Sequence, residues 1–237
     1  DKCFDVIRHA VKKGLKVILT TNGTLINADS AAELVGSGVH IVCISLDGAT
    51  AAMHDSIRGV PGAYGKIIEG IKSLHAAKKA GRPVTVLILT LHNENLDEAV
   101  EYVRMAKKLG VDAVYLTSLV ADNIRLYSRR ENHPLWITGD RLRRLDEVMA
   151  ELEKMQDEYY RFDYPSFSLI KKYFSGTLAK NDWTCFAGFR RFVVCPDGNI
   201  QMCGEIIGNF RRCPDIRRIW HSSAARRKRS MIKSCRD

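Results

Sequence analysis

Apolar positions recur along the first two-thirds of the chain in two alternating periods. Phe4, Ile7, Ala10 and Val11 follow helical spacing, and Gly14 is a stop signal. Lys16–Thr21 is a short apolar, β-rich run that ends at the turn dipeptide Asn22-Gly23. Asn27 is placed to cap a helix through Val35, ended by Gly36 and Gly38. The same alternation continues with a strand over His40–Leu46 and a helix over Ala63–Ala80. A strand over Pro83–Leu91 and a helix from Asn95 to Leu109 follow, then a strand over Asp112–Leu119. A long helix is predicted from about Thr138 to Glu158.

The strands are apolar on both faces and separated by helices. That pattern predicts an α/β fold with a parallel sheet and crossover helices. Four strands opening on an orphan helix are too few for a closed eight-stranded barrel. The expectation is an open sheet or a partial barrel whose first strands lie upstream of Asp1. The last region follows a different pattern. Arg190–Cys203 reads as two short strands around Pro196-Asp197-Gly198-Asn199, and Ile216–Lys233 as one basic helix.

Composition divides the chain in the same place. Residues 189–237 hold 12 Lys and Arg against 4 Asp and Glu, whereas residues 1–188 hold 25 against 23. Five of the seven Cys (Cys185, Cys195, Cys203, Cys213 and Cys235) fall in the last 53 residues. The odd count in a chain this long argues against a disulfide scaffold and for a reducing, cytoplasmic setting. With 46% apolar and 27% charged residues the chain is neither disordered nor a membrane protein, and no apolar run is long enough to span a bilayer.

In parallel α/β folds ligands bind at the carboxyl ends of the strands. Those ends carry Thr20, Thr21, Asn22 and Thr24, then Ser45 and Asp47, then Thr90, His92 and Asn93, then Thr117 and Ser118. Hydroxyls, amides and a carboxylate suit a polar small molecule; equally, such residues cap the helices that follow. Arg58 could pair with a ligand carboxylate, against the plainer alternatives of a surface Arg or a partner for Asp55. The seven His are scattered and read as structural. Gly59, Gly62 and Gly65 match neither phosphate-binding spacing and read as a connection and helix start.

The late cysteines carry the sharpest chemistry. Cys185 is followed by twelve residues, Gly198, four residues and Cys203. Thiolates bind iron–sulfur clusters or zinc, and a hairpin fixes their direction.

TTNGT (Thr20–Thr24), ISLDG (Ile44–Gly48), HDSIRG (His54–Gly59) and this Cys spacing, in this order, resemble radical S-adenosylmethionine enzymes with a C-terminal SPASM/Twitch auxiliary-cluster domain. The resemblance runs from Asp1 to Asp237. It implies a partial (β/α)6 TIM-like barrel over residues 1–135, a helical linker over 136–182 and a small Cys-rich hairpin and helix domain over 183–237. It also implies a catalytic [4Fe–4S] cluster, S-adenosylmethionine and a 5′-deoxyadenosyl radical that abstracts hydrogen from a substrate. By position, Ser45 and Arg58 would hold the methionyl carboxylate or ribose region, with Asp47 and Asn22 at the same rim. Cys185, Cys203 and Cys235 would ligate an auxiliary cluster; Cys195 is a further candidate, with Cys213 open beside it.

The CxxxCxxC and Gly-Gly-Glu segments of that family are absent from these residues, and the CxxC expected at Cys235 stops at Cys235-Arg236-Asp237. The resemblance therefore implies a fragment of a longer enzyme, inactive alone. The expected partners are a peptide, peptide-derived or other small substrate and an electron donor such as flavodoxin or ferredoxin. Two rival readings remain: an RNA-binding protein using Arg226-Arg227-Lys228-Arg229, and a zinc-binding, non-catalytic module. No aromatic residue interleaves the Arg run, which weighs against nucleic acid.

Overall fold

The computed structural model describes residues 2–119, 133–156, 167–179, 182 and 185–233. It divides into two compact units, Asp1–Gly176 and Thr177–Asp237.

The first unit is a run of βα units. Its helices are α1 (Lys2–Lys12), α2 (Ala28–Gly36), α3 (Ala51–Arg58), α4 (Ala63–Ala77), α5 (Ala99–Lys108), α6 (Arg141–Lys154) and α7 (Phe167–Phe174). Its strands β1 (Ile18–Thr21), β2 (Ile41–Ser45), β3 (Val84–Leu91) and β4 (Ala113–Ser118) form one parallel sheet in the order β1-β2-β3-β4. The predicted alternation is thus realised with small shifts. A short 3-10 turn over Leu96–Glu98 precedes α5, and α6 starts at Arg141 rather than Thr138. Helix α3 is not foreshadowed by periodicity, because AAMHDSIR is short and mostly polar. Its ends are nevertheless well made: Thr50 caps the first turn and Gly59, at φ +64°, closes the last.

The sheet has two unlike faces. Val42, Ile44, Leu87, Leu89, Val114 and Leu116 point to one side and are sealed by Ile67, Ile71 and Leu74 of α4 and by Val103 and Ala106 of α5. Burying a large aliphatic side chain there contributes about 1.5–3 kcal/mol. The other face is half-buried: Cys43 and Ser45 of β2 line up with Val86 and Ile88 of β3, and Thr90 with Thr117 of β4. Apolar residues fill its lower part, and hydroxyls gather at the carboxyl ends.

Of the helical linker expected over 136–182, the described residues through Gly176 belong to this unit. Trp136, Leu145, Val148, Leu152, Ile170 and Phe174 join the same core, and Trp136 Nε1 donates to the Phe174 carbonyl at 3.1 Å. Apolar spacing on α6 gives it a buried face that must be covered, so it packs rather than bridges.

The second unit is an antiparallel sheet of β5 (Val193–Val194), β6 (Asn199–Met202) and β7 (Glu205–Asn209), followed by α8 (Ile216–Trp220) and α9 (Ser223–Lys233). Strand β7 lies beyond the two strands the sequence predicts; Gly208 interrupts its pattern, because a Cβ there would lie 2.7 Å from Ile219. The single basic helix expected over 216–233 is broken at His221-Ser222, where Ser222 Oγ accepts the Ala225 N–H at 3.2 Å and starts a new helix. Among the described residues no helix is long and apolar enough to cross a membrane.

Candidate functional site

The loop leaving β2 is fixed from several sides. The Asp47 N–H donates to His54 Nδ1 at 3.0 Å, and the Asp47 carbonyl accepts from Asn95 Nδ2 at 3.1 Å. The Ala49 N–H donates to Glu98 Oε2 at 2.8 Å, the Ala49 carbonyl accepts from Tyr64 Oη at 2.8 Å, and Thr50 Oγ1 donates to Glu98 Oε1 at 3.0 Å. Gly48 permits the tight path: a Cβ there would sit 2.6 Å from Met53 Cβ and 2.8 Å from the His54 nitrogen. Asn95 is wholly buried; its second amide N–H contact is the Thr90 carbonyl at 2.9 Å, and its Oδ1 accepts the His92 N–H at 2.9 Å. A buried amide with every contact satisfied holds its neighbours in one arrangement.

This frame presents a charged pair at the rim. Asp47 Oδ1 accepts the Thr90 N–H at 3.2 Å, and Oδ2 pairs with Arg58 Nη2 at 2.5 Å. The Asp47 carboxylate is nearly buried while the Arg58 side chain keeps 41% of its exposure. A planar fork anchored through one nitrogen leaves N–H groups for a second anion. Asp55, the alternative partner for Arg58, is engaged elsewhere. It accepts the Tyr64 and Gly62 N–H groups, and these bonds, Tyr64 first, hold its carboxyl below the ordinary range.

Two buried histidines flank the pair. Burial depresses His54, against weaker opposing fields from Asp47 and Asp55, so the ring is kept neutral and able to accept the Asp47 N–H. Burial likewise depresses His92. His92 Nδ1 accepts the Glu94 N–H at 3.3 Å, which places the ring proton on Nε2, a buried atom with no partner.

The predicted residues are thus sorted. Asp47 and Arg58 are brought together, and Ser45 ends β2 on its half-buried face. Asn22 is exposed and turned to local work, its Oδ1 accepting from the Thr24 N–H and hydroxyl at 3.2 and 3.0 Å. Gly23, at φ +76°, approaches Ile44 so closely that a Cβ would lie 2.8 Å away. Tyr64 and Glu98 are not singled out by any sequence motif, His54 enters only as the first residue of HDSIRG, and Asn95 only as the start of a predicted helix.

In the second unit Cys185, Cys195, Cys203 and Cys213 are free thiols; Cys235 lies outside the described residues. Free thiols are the donors an iron–sulfur cluster takes, so the chemistry of the set fits that group. Among the described residues no three Cys, His, Asp or Glu side chains converge on one point. The described thiols are therefore not a preassembled cage.

A parallel βα sheet with a polar carboxyl rim, joined to a free-thiol hairpin unit, is the architecture of a cofactor-using α/β protein with an iron–sulfur appendage. Residues 1–118 match the model of the radical SAM superfamily, and residues 185–237 match that of an iron–sulfur cluster-binding domain, SPASM. The chain belongs to the radical SAM superfamily and carries a SPASM-type second domain. It is 37% identical over 117 residues to an AdoMet-dependent heme synthase of Methanosarcina barkeri, covering 49% of this chain and 32% of that protein. A PqqA peptide cyclase of Rhodopseudomonas palustris is 23% identical over 233 residues, covering 93% of this chain and 57% of that protein. The crystal structure of Streptococcus suis SuiB bound to precursor peptide SuiA superimposes with a TM-score of 0.69 at 15% identity, over 98% of this chain and 53% of that one, and so shares the fold. The chain spans about a third (29–32%) of the length of the heme synthase relatives.

Proposed function

We propose that the protein containing this chain is a radical S-adenosylmethionine enzyme that abstracts hydrogen from a peptide or a cofactor precursor. The observation that supports this most directly is the Asp47–Arg58 pair. It stands on a rigid loop at the carboxyl rim, within the stretch that matches the superfamily. A peptide is favoured over other substrates because two of the similar proteins are named for peptides, a peptide cyclase and an enzyme bound to a precursor peptide.

A [4Fe–4S] cluster, once reduced by one electron from a donor such as flavodoxin or ferredoxin, would pass that electron to S-adenosylmethionine and so supply methionine and a 5′-deoxyadenosyl radical. This chain's residues bind and orient. Arg58 offers its free N–H groups to a carboxylate of the bound cofactor. Asp47 holds the guanidinium in place. Ser45, and more weakly Asn22, add hydrogen bonds at the same rim. Asn95, His54 and Glu98 keep the loop in the geometry that makes those contacts possible without reorganisation. Cys185 and Cys203 would hold an auxiliary cluster in the second unit.

The test is anaerobic. Full-length protein reconstituted with iron and sulfide, then reduced in the presence of S-adenosylmethionine, is expected to form 5′-deoxyadenosine. Reconstituted protein that binds iron yet yields none would sink the proposal.

A further inference from the structure

Arg229 is held on three sides. It stands on α9, and its guanidinium lies over the Trp220 ring at 4.2 Å. Nε donates to the Gly188 carbonyl at 2.6 Å and Nη1 to the Trp220 carbonyl at 2.9 Å. One side chain thus ties α9 to the end of α8 and to the turn after Cys185. Two backbone carbonyls and an aromatic face fix the plane of the fork. Nη2 is buried, and among the described residues it has no acceptor. A guanidinium carries five N–H donors and does not lose its proton in a protein. Burying a charged donor without a partner is costly, and native structures rarely do it. This nitrogen calls for an anion.

The carboxylates among the described residues of this unit are engaged elsewhere. Residues 185–233 hold eleven Lys and Arg against three Asp and Glu. Asp197 accepts the Asn199 N–H and side-chain amide at 2.9 and 2.6 Å. Asp215 caps α8 by accepting the Arg217 and Arg218 N–H groups. Glu205 pairs with Lys228 at 3.3 Å. The other groups here that can carry negative charge are the thiols.

Arg229 is joined to the Cys-bearing segments through Gly188. That residue lies three beyond Cys185, in a turn closed by the Phe189 and Arg190 N–H groups on the Phe186 carbonyl at 3.0 and 3.1 Å. Gly188 is pressed between Met202 and Ile232: a Cβ there would sit 2.6 Å from Met202 Sδ and 3.0 Å from Ile232 Cδ1. Met202 precedes Cys203, and Ile232 follows Arg229 by three residues on α9. Cys185 packs against the small core to which Met202 and Ile232 belong.

We infer that Arg229 is the internal counter-charge of the iron–sulfur cluster of this unit, with its Nη2 N–H groups kept for the cluster's sulfur, and that it raises the cluster's reduction potential. This rests on the iron–sulfur reading above. A thiolate-ligated cluster is net negative and gains a further negative charge on reduction. A fixed, desolvated positive charge beside it favours the reduced form over the oxidised one.

The test uses full-length protein reconstituted anaerobically with iron and sulfide. Its readouts are iron per chain and the midpoint potential of the cluster whose EPR signal S-adenosylmethionine leaves unchanged. Arg229→Gln is expected to keep the parent iron and to lower that potential. At the parent's midpoint its reduced-to-oxidised ratio should fall about tenfold, or about 59 mV for one electron. Arg229→Lys keeps the charge without the fork, and its potential is expected to fall less. Arg227→Gln removes an exposed charge from the same helix, where solvent and salt screen it, and is expected to stay at the parent value. A parent potential in Arg229→Gln, an equal fall in Arg227→Gln, or no recovery in Arg229→Lys would overturn the inference. If Arg229→Gln loses iron, Arg229→Lys decides. Parent iron with a lowered potential supports the counter-charge, whereas loss of iron there too makes Arg229 a structural brace and overturns it. Parent protein that holds one cluster only would remove the iron–sulfur reading of this unit and the inference together.

Discussion

Arg58 Nη2 rests 2.5 Å from Asp47 Oδ2, so the last residue of α3 is tied to the loop that leaves β2. The pair is asymmetric: the carboxylate is nearly buried and the guanidinium half-exposed. Removing either partner therefore has a different effect, and the two are separable by experiment.

Arg58→Ala is expected to leave the fold intact and to weaken binding of S-adenosylhomocysteine to full-length protein by about tenfold or more, equivalent to about 1.4 kcal/mol. Arg58→Lys should restore little of this, because a point charge does not replace a planar fork. Calorimetric titration is the check. Unchanged affinity in both variants would return Arg58 to a structural ion pair.

Asp47→Ala and Asn95→Ala act on stability first. Asp47→Ala leaves the Thr90 N–H without its acceptor. Asn95→Ala strands the Asp47 and Thr90 carbonyls and the His92 N–H together. Each unsatisfied buried group costs about 1–3 kcal/mol, so Asn95→Ala should show the larger drop in a urea melt.

Two glycines should respond with opposite sign. Gly48→Ala forces a Cβ into Met53 and the backbone of α3, and a loss of about 1–3 kcal/mol is expected. Gly65→Ala lies inside α4 with nothing within 4 Å, and should gain about 0.5–1 kcal/mol. Equal effects in thermal melts would contradict the tight packing of the Gly48 loop.

Acid should loosen the rim. Burial holds His54 and His92 below their usual pKa, so the folded state resists protons that the unfolded chain accepts near pH 6.5. Their contribution is complete above that pH and is lost as pH falls through the depressed folded values. Protonating His54 at Nδ1 also removes the acceptor of the Asp47 N–H. The urea midpoint is expected to fall between pH 7.5 and 5.5. His54→Asn, which keeps an acceptor but does not titrate, should reduce that fall; an identical pH profile would exclude His54 as its source.

The order of the βα units and the place of the polar rim were determined by the sequence alone. Strands such as Val84–Leu91 are nearly unbroken apolar runs, and Asn27 and Gly14 sit where helix ends need them. The spacing of Cys185, Gly198 and Cys203 was likewise legible. Tertiary structure alone decided who pairs with whom. Asp55 is nearer to Arg58 in sequence than Asp47 is, yet the Gly62 and Tyr64 N–H groups claim it and leave Arg58 to Asp47. The clamp made by His54, Tyr64, Asn95 and Glu98 joins residues from three separate segments, and no local pattern announces it. Cys195 and Cys203 are close along the chain, but β6 lies between them: the Cys195 N–H donates to the Asn199 carbonyl at its start, and Cys203 follows Met202 at its end. Local periodicity fixes elements because it acts through neighbouring residues. Sites are decided by register and by competition among distant partners for the same donors.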